Sequence, residues 1–310
     1  MHHLLLAPVI LASTQPAEPP EASADVESVV FEQTQPPPVS FRLNIDYRTM
    51  FSADFQDIDG DVSVHRIRGT LGARFQLDTQ NTLALSIGEE ISFYDFDDSD
   101  LGLDLDSDDI FEDVYQTSLG ASFFHTIDET WTAVVLGRAR FAGEADADIG
   151  DAATFALLGG VRQKISDTLS LSYGLGFRTR LEDSTILVPL VDIRWQINDQ
   201  VRLQGNRFGL ALVTEIDEDW AISINGSWEP REYRLDEHRG SRLDEGVVQD
   251  DRAVIGLELI YEPSRTLKFS IEAGAILYQE FEFQDNDGDK LRDIDADPPP
   301  FIGGHFEWRF

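Results

Sequence analysis

The chain of 310 residues contains no cysteine and few basic residues. Without cysteine it has no disulfide framework, no thiolate zinc site and no lipid attached through an N-terminal cysteine. Lysine and arginine number 24, against 58 aspartate and glutamate residues, which gives a net charge of −34. A protein that binds nucleic acid needs a basic surface, so this balance argues against nucleic acid as a partner.

The sequence also lacks a long apolar run. No segment approaches the roughly 18 to 20 apolar residues that a membrane-spanning helix needs. Hydrophobic residues nevertheless make up 42% of the chain and aromatic residues 10%. If this chain spans a membrane, it must do so as a closed barrel, because only helices and closed barrels satisfy every backbone polar group in lipid.

The first 38 residues differ in composition from the rest of the chain. Leu4 to Ala12 is a short apolar stretch followed by small residues, which predicts a signal peptide over residues 1–17. His2 and His3 replace the usual Lys or Arg, so either the signal is weak or the true start lies upstream. Residues 18–38 are rich in Pro, Glu, Ala and Gln, which predicts a flexible periplasmic linker before a folded part at residues 39–310.

From Val39 onward, several segments alternate with a period of two residues. In 169–178, large apolar residues on one parity alternate mainly with Ser and Gly on the other, and 83–88 and 220–228 repeat the pattern. This is the periodicity of β-strands. In a membrane barrel the apolar parity faces lipid and the small or polar parity faces the lumen. The sequence therefore predicts an all-β, antiparallel, up-and-down transmembrane barrel.

The connections between these segments alternate in length. Short turns are predicted near 78–81, 128–129, 166–167, 198–199, 217–219 and 263–265, and long acidic loops at 54–61, 94–109, 142–151, 230–250 and 282–299. Outer-membrane barrels have short periplasmic turns and long external loops. The pattern places the protein in the outer membrane of a Gram-negative-type bacterium, with lipid and lipopolysaccharide as its surroundings.

Counting the strands gives about fourteen. The uncertain segment is 200–216, where Gly205-Asn206 predicts a tight hairpin turn between two short strands. Such strands are shorter than the roughly 9–11 residues that cross a bilayer. Twelve full strands with one irregular hairpin, which stops low in the wall or folds inwards, is the alternative.

The last strand ends in an aromatic residue. Phe306, Trp308 and Phe310 share one parity with Ile302 and Gly304. We interpret the three aromatic residues as an assembly signal for the barrel-assembly machinery, since outer-membrane barrels commonly end in such a strand.

Several short stretches together resemble a known family. They are Val188-Pro189-Leu190, Trp195, Val201-Arg202-Leu203, Gly209-Leu210, Asp219-Trp220, Glu232-Tyr233-Arg234-Leu235 and the terminal aromatic strand. In these the chain resembles a family of bacterial outer-membrane β-barrels catalogued as a domain of unknown function, over roughly residues 40–310. The resemblance implies a barrel and brings no known activity or catalytic residues.

Charged residues collect on the parity that faces the lumen. An Arg or Lys facing lipid near the membrane midplane would cost about 2–4 kcal/mol. We therefore expect these side chains to line the interior: Arg42, Asp46, Arg48, Arg66, Arg68, Arg74, Arg138, Arg140, Arg162, Arg178, Asp192, Arg194, Glu258, Lys268 and Glu272. They predict either a wet, charge-lined channel or a lattice of Arg–carboxylate pairs that plugs a narrow barrel.

The loops concentrate negative charge. Between Glu89 and Asp113 there are twelve carboxylates and no Lys or Arg, a density that attracts cations. Two triplets, one of Asp57, Asp59 and Asp61 and one of Asp285, Asp287 and Asp289, resemble fragments of calcium loops but fail the EF-hand spacing. The triplets predict weakly bound calcium as a cofactor. The alternative is a solvated acidic loop that binds no metal.

These features predict a passive channel for small hydrophilic solutes or ions, biased towards cations by its acidic loops. The alternative is a closed structural or adhesive barrel whose external loops bind divalent cations or surface polymer. An enzyme is not expected, because the one hydrolytic candidate is His238 near Asp236, Ser241 and Asp244 in a charged loop, and the chain has no HExxH or GxSxG motif.

Overall fold

The computed structural model describes residues 39–97, 110–111, 113–182, 184–206, 208–236 and 242–310. The predicted signal peptide and linker, His238 and Ser241 lie outside these ranges. None of the described residues forms a helix long and apolar enough to cross a membrane.

Fifteen strands make up the fold. They are β1 (Val39–Asp54), β2 (Asp61–Gln76), β3 (Asn81–Asp97), β4 (Asp113–Thr126), β5 (Trp131–Glu144), β6 (Ala153–Lys164), β7 (Leu169–Arg178), β8 (Ile186–Gln196), β9 (Val201–Asn206), β10 (Gly209–Glu215), β11 (Trp220–Arg234), β12 (Val247–Ser264), β13 (Leu267–Gln284), β14 (Lys290–Ala296) and β15 (Pro300–Arg309).

The wall is a closed antiparallel barrel of fourteen strands, as the sequence predicts. Strands β1 to β13 pair in chain order, and β15 closes the ring by pairing with both β13 and β1. Strand β14 pairs with β13 directly above β15, so the two form one descending strand that is interrupted at Asp297 to Pro299. Proline has no backbone N–H to donate to a ladder, which accounts for the interruption.

The two faces of the wall differ as a membrane barrel requires. Large apolar side chains such as Leu71, Leu85, Leu257 and Ile271 are exposed on the outside. In the middle of β3 and β4 the inward positions opposite each other are small or polar, for example Ser86 and Gly120. The exposed apolar band is the surface that lipid covers.

Four of the short turns are fixed by the same kind of side-chain hydrogen bond. Asp78, Asp128, Asn198 and Asp217 each accept hydrogen bonds from the backbone N–H groups two and three residues further on. A side chain that bonds its own backbone in this way fixes a turn. At Asp78, hydrogen bonds from the Asn81 amide and the Gln80 backbone lower the pKa of the carboxyl group.

The predicted short hairpin is present and stops low in the wall. The predicted turn at Gly205-Asn206 is wrong by position, because both residues belong to the ladder and Asn206 pairs with Gly209. Gly205 lies inside the ladder opposite Leu210, where an added Cβ would be 2.6 Å from the Gly209 carbonyl oxygen. The glycine at 205 therefore serves a close approach of two strands, and the turn itself lies beyond it.

The longer strands continue above the short ones and close a second, smaller ring. Arg234 of β11 pairs with Gly143 of β5, over the top of β6 to β10. On the other side, Phe55 just after β1 bridges Ala296 of β14. The ring contains β1 to β5 and β11 to β14, which is nine strands. We call this ring the cap.

The cap has a packed hydrophobic core inside the ring. Its centre includes Tyr94, Tyr233, Phe281 and Phe283, all nearly inaccessible to solvent. The aromatic rings pack at centroid distances of 4.7 to 6.3 Å. The remaining buried members are Met50, Ala53, Phe55, Val62, Val64, Phe96, Ile110, Phe111, Val114, Ala142, Leu235, Leu243, Val248, Val254, Ile276, Ile294, Ala296 and Phe301. Side chains therefore fill the end of the barrel that lies opposite the short turns.

Candidate gate in the barrel interior

Solvent reaches part of the interior below the cap. The Asp46 side chain is 46% exposed, and Glu215, next to a short turn, is 43% exposed. Other inward positions there are buried, among them the apolar cluster of Val213, Ala221 and Ile260. Just beneath the cap core, Arg252 is 2% exposed and Asp250 is fully buried. We call the partly solvent-accessible interior between the short turns and the cap the vestibule.

The vestibule ends at ion pairs that cross the interior. Arg48 of β1 donates to Glu229 of β11 at 2.6 Å and to Glu272 of β13 at 3.0 Å. Arg231 of β11 bonds Glu229 at 3.0 Å and Glu90 of β3 at 3.3 Å. Because β1 and β3 are not ladder neighbours of β11, these pairs join opposite parts of the wall.

The deeper half of these pairs surrounds Asp250. Arg252 binds both of its carboxylate oxygens, at 2.8 and 2.5 Å, in the bidentate geometry that favours arginine. Tyr94 donates to Asp250 at 2.6 Å and Gln279 at 3.0 Å. Arg66 lies 3.8 Å from Asp250. Three hydrogen-bond donors and the nearby charge of Arg66 thus hold a carboxylate that burial alone would disfavour.

We call this set the charge layer. Its members are Arg48, Arg66, Glu90, Glu229, Arg231, Asp250, Arg252 and Glu272. Arg66 ties it together, with its Nε 2.7 Å from the Ser92 hydroxyl and 3.3 Å from Glu90. The charge layer and the cap core together close the outer end of the interior.

Three of the predicted lumen residues, Arg48, Arg66 and Glu272, belong to the charge layer. Several others pair lower in the barrel: Arg42 with Glu307 (3.7 Å), Asp46 with His305 (2.6 Å), Arg162 with Ser172 (3.3 Å), Asp192 with Arg194 (3.8 Å), Glu258 with Ser270 (2.5 Å) and Lys268 with Glu262 (3.9 Å). Arg178, at the upper end of β7, pairs with Glu232 at 3.1 Å. Arg68, Arg74, Arg138 and Arg140 share the inward parity of their strands. A role for any of them in conduction stays a prediction.

Five members of the charge layer are missing from the predicted set: Glu90, Glu229, Arg231, Asp250 and Arg252. The sequence predicts a loop at 230–250, yet β11 continues to Arg234 and β12 begins at Val247. A signal was present in the sequence, since positions 229, 231, 233 and 235 continue the inward parity of β11. Carboxylates at Glu89 and Glu90 likewise belong to β3, which extends to Asp97.

The aromatic C-terminus closes the seam of the barrel. Phe310 exchanges two backbone hydrogen bonds with Phe41, at 2.7 and 3.0 Å, and their rings stack at 5.6 Å. Trp308 contacts Phe310 with ring centroids 4.5 Å apart. Phe306, the third predicted assembly residue, packs on Phe269 of β13 at 5.2 Å. All three rings lie on the outer face, at the join between the first and last strands.

The two acidic triplets do not form a cage for a metal ion. Within the described residues, no group of three or more His, Cys, Asp or Glu side chains is placed to hold a metal. Asp285 uses one carboxylate oxygen to accept hydrogen bonds from the backbone of Asp287 and Asp289. Asp61 accepts one from Ser52. Calcium binding stays a prediction.

Comparison with solved structures finds bacterial outer-membrane barrels. The COG4313 outer membrane channel from Pseudomonas putida F1 is 11% identical, with a TM-score of 0.48, over 92% of this chain and 100% of that one. The Pseudomonas putida toluene transporter TodX is 9% identical, with a TM-score of 0.40, over 88% and 90%. The translocator domain of the autotransporter NalP from Neisseria meningitidis is 11% identical, with a TM-score of 0.37, over 89% and 90%. At these identities the likeness concerns the fold alone.

No curated protein matches the sequence. One family model does, over residues 48–294, a range that runs from β1 to β14 and includes most of the barrel and the whole charge layer. The chain therefore belongs to the family described as Domain of unknown function (DUF6268).

Proposed function

We propose that this protein is a gated outer-membrane channel whose charge layer and cap hold it closed in the conformation described here. The observation that carries the proposal is the set of ion pairs across the interior, above a vestibule that water reaches. Ion pairs between neighbouring strands would be enough to stiffen the wall. Pairs between opposite strands, such as Arg48 with Glu229, instead lie across the path of a solute.

An open state would pass small hydrophilic solutes or ions. The vestibule is lined by charged side chains of both signs, including Arg42, Asp46 and Lys268. The acidic segments on the outer side would raise the local concentration of cations and bias conduction towards them. We place the protein in the outer membrane of a Gram-negative-type bacterium, surrounded by lipid and lipopolysaccharide and inserted by the barrel-assembly machinery. The proposal needs no catalytic residue.

A second candidate is a closed structural or adhesive barrel. The packed core of the cap favours it, because a permanently filled outer end would leave only the surface loops to act. Those loops would bind divalent cations or surface polymer. The two candidates differ in one measurable property, which is whether the interior ever conducts.

The test is conductance of the refolded full chain in planar bilayers under a salt gradient. Arg48→Met combined with Glu229→Gln removes both charges of a cross-interior pair, so the net charge of the charge layer is unchanged. Arg231 keeps Glu90 as a partner, whereas Glu272 loses its contact with Arg48. We expect the open time of this variant to be about tenfold that of the wild type, equivalent to about 1.4 kcal/mol, with a cation-selective reversal potential.

The matched control is Arg42→Met with Glu307→Gln. This pair joins neighbouring strands, β1 and β15, and does not cross the interior. We expect wild-type open time in the control. Silence of the wild type and of both variants, with each barrel shown to be folded, would refute the gated channel and favour the closed structural barrel.

A further inference from the structure

The wall has a break in its ladder above the short hairpin. Strand β9 pairs with β8 only from Asp192 downwards, and β10 pairs with β11 only up to Ser227. Residues 186–191 of β8 and 228–230 of β11 therefore face each other with no strand between them in the described part of the chain. We call this opening the wall gap. The six residues on the β8 edge span roughly 20 Å and the three on the β11 edge roughly 10 Å.

Both edges of the wall gap carry proline. Pro189 lies in β8 and Pro230 in β11, each within the stretch that lacks a ladder on the side of the gap. Within sheets, proline is confined to edge strands because it cannot donate to a ladder. The sequence thus marks both strands as edges at this height, independently of the lengths of β9 and β10.

The wall gap has a defined lower and upper border. At its base, the Phe208 carbonyl accepts a hydrogen bond from the Trp228 backbone N–H at 2.6 Å, and the Phe208 side chain is buried. At its top, Arg178 and Arg180 bind Glu232 of β11 at 3.1 and 2.5 Å. These contacts mark the lower and upper limits of the stretch that lacks a ladder.

The interior beside the wall gap is apolar. One row of inward positions runs Leu136, Leu158, Gly176 and Val188 across β5 to β8. The row beneath it runs Val134, Gly160, Gly174 and Leu190. The missing side chains at the glycines leave room for their neighbours, since an added Cβ at Gly176 would lie 2.6 Å from Leu158 Cγ. The two rows form one contiguous cluster, with Val188 and Leu190 on the edge of the gap.

Charged rows bound this apolar band on both sides. The row above it contains Arg138 and Arg178, and the row below contains Arg162 and Asp192. Outside the gap, Leu187 and Val191 are exposed to the membrane. The apolar band is two residues high, reaches the edge of the wall gap at Val188 and Leu190, and lies between rows that carry charge. Such a band suits a narrow apolar chain better than a hydrated ion.

We infer that the wall gap is a lateral site at which a single acyl chain moves between the membrane and the apolar band inside the barrel. Val188 and Phe208 are both buried in this structure, so the chain would displace them. The inference goes beyond the proposed gate, because it concerns the side of the barrel and does not require axial conduction.

The experiment uses the full chain in proteoliposomes with palmitic acid that carries a diazirine near its methyl end. After irradiation, mass spectrometry locates the labelled residues. We expect saturable labelling of the inward-facing Leu158, Val188 and Leu190, displaced by unlabelled palmitic acid. Inward positions on β3 and β4 that lie outside the apolar band, such as Ser86 and Ser118, should stay unlabelled. Label confined to outward-facing residues such as Leu187 and Val191 would overturn the inference.

Phe208→Ala gives a second readout. Removing the ring at the base of the gap should raise labelling of Val188 several-fold. The control is Phe155→Ala, which removes an exposed ring from the outer face of β6 and should leave that labelling unchanged. Equal labelling in both variants would also overturn the inference. If Phe208→Ala does not fold, the wild-type pattern decides alone.

The failures of the two proposals can be told apart. Interior labelling in a barrel that never conducts would support the lateral site and refute the gate. Conduction without interior labelling would refute the lateral site and support the gate.

Discussion

At the scale of single residues, Asp250 is the most constrained group in the interior. It is fully buried and accepts hydrogen bonds from Arg252, Tyr94 and Gln279. Removing one partner from a buried ion pair leaves an uncompensated charge, which costs more than the pair contributes. Stability should therefore depend strongly on each donor.

We expect Arg252→Met to lower the free energy of unfolding by about 3–5 kcal/mol. The measurement is equilibrium unfolding in urea of the barrel refolded in detergent. Lys164→Met is the control, because Lys164 pairs with Asp167 at an exposed turn and should change stability by about 0–1 kcal/mol. Equal effects of the two substitutions would contradict the role given to the buried pair.

At the scale of the strands, the cap depends on one close contact. Gly143 of β5 approaches Arg234 of β11 so closely that an added Cβ would lie 2.6 Å from the Arg234 carbonyl oxygen. Only glycine fits such an approach without a shift of the backbone. The contact between β5 and β11 therefore leaves no room for a side chain at position 143.

Gly143→Val should separate β5 from β11 in the cap, while the fourteen-stranded wall stays intact. We expect faster proteolysis of the segments between β11 and β12 and between β5 and β6, together with longer open times in planar bilayers. Gly159→Val is the matched control, since no atom lies within 4 Å of an added Cβ at Gly159. A Gly143→Val barrel with wild-type proteolysis would show that this contact tolerates the change.

The strands of the wall could be predicted from sequence because lipid imposes a strict period of two. Segments such as 169–178 show it clearly, and the fourteen-strand count follows. The cap could not be predicted in the same way. Residues 231–234 of β11 are buried on both faces, so the contrast between an apolar and a polar parity disappears. Their charges, which here form buried pairs, resemble those of a solvated loop.

Only part of the candidate site could be predicted from the sequence. The inward parity of Arg48, Arg66 and Glu272 follows from the cost of charge in lipid. Which carboxylate each arginine meets depends on contacts between opposite strands, such as Arg48 with Glu229. Those contacts are set by the closure of the ring and leave no local pattern in the sequence. The two acidic triplets likewise gave a pattern that the described backbone uses for turns.

At the scale of the whole molecule, the barrel is held shut at a seam between its first and last strands. Nine residue pairs join β1 to β15, from Arg42 with Arg309 to Met50 with Phe301. Phe310 extends the seam by two further backbone hydrogen bonds to Phe41. Closure of the membrane wall therefore depends on the last residues of the chain.

Deleting Phe310 should lower the yield of assembled barrel in cells several-fold, because the seam loses two hydrogen bonds and a stacked ring. The readout is the fraction of the chain in the outer membrane that migrates as a folded, heat-modifiable species. Phe51→Ala, which removes an exposed ring from the outer face of β1, is the control and should assemble normally. Normal assembly of the deletion variant would show that assembly does not require Phe310.

The seam also governs how fast the chain reaches its native state. Contacts between β1 and β15 close a loop of almost the entire folded sequence, and such non-local pairing makes folding slow. Until that pairing forms, the wall is an open sheet with two unpaired edges, each able to pair with another chain. The interval before closure is therefore when this protein is most vulnerable to aggregation, and its length is set by the arrival of the last ten residues.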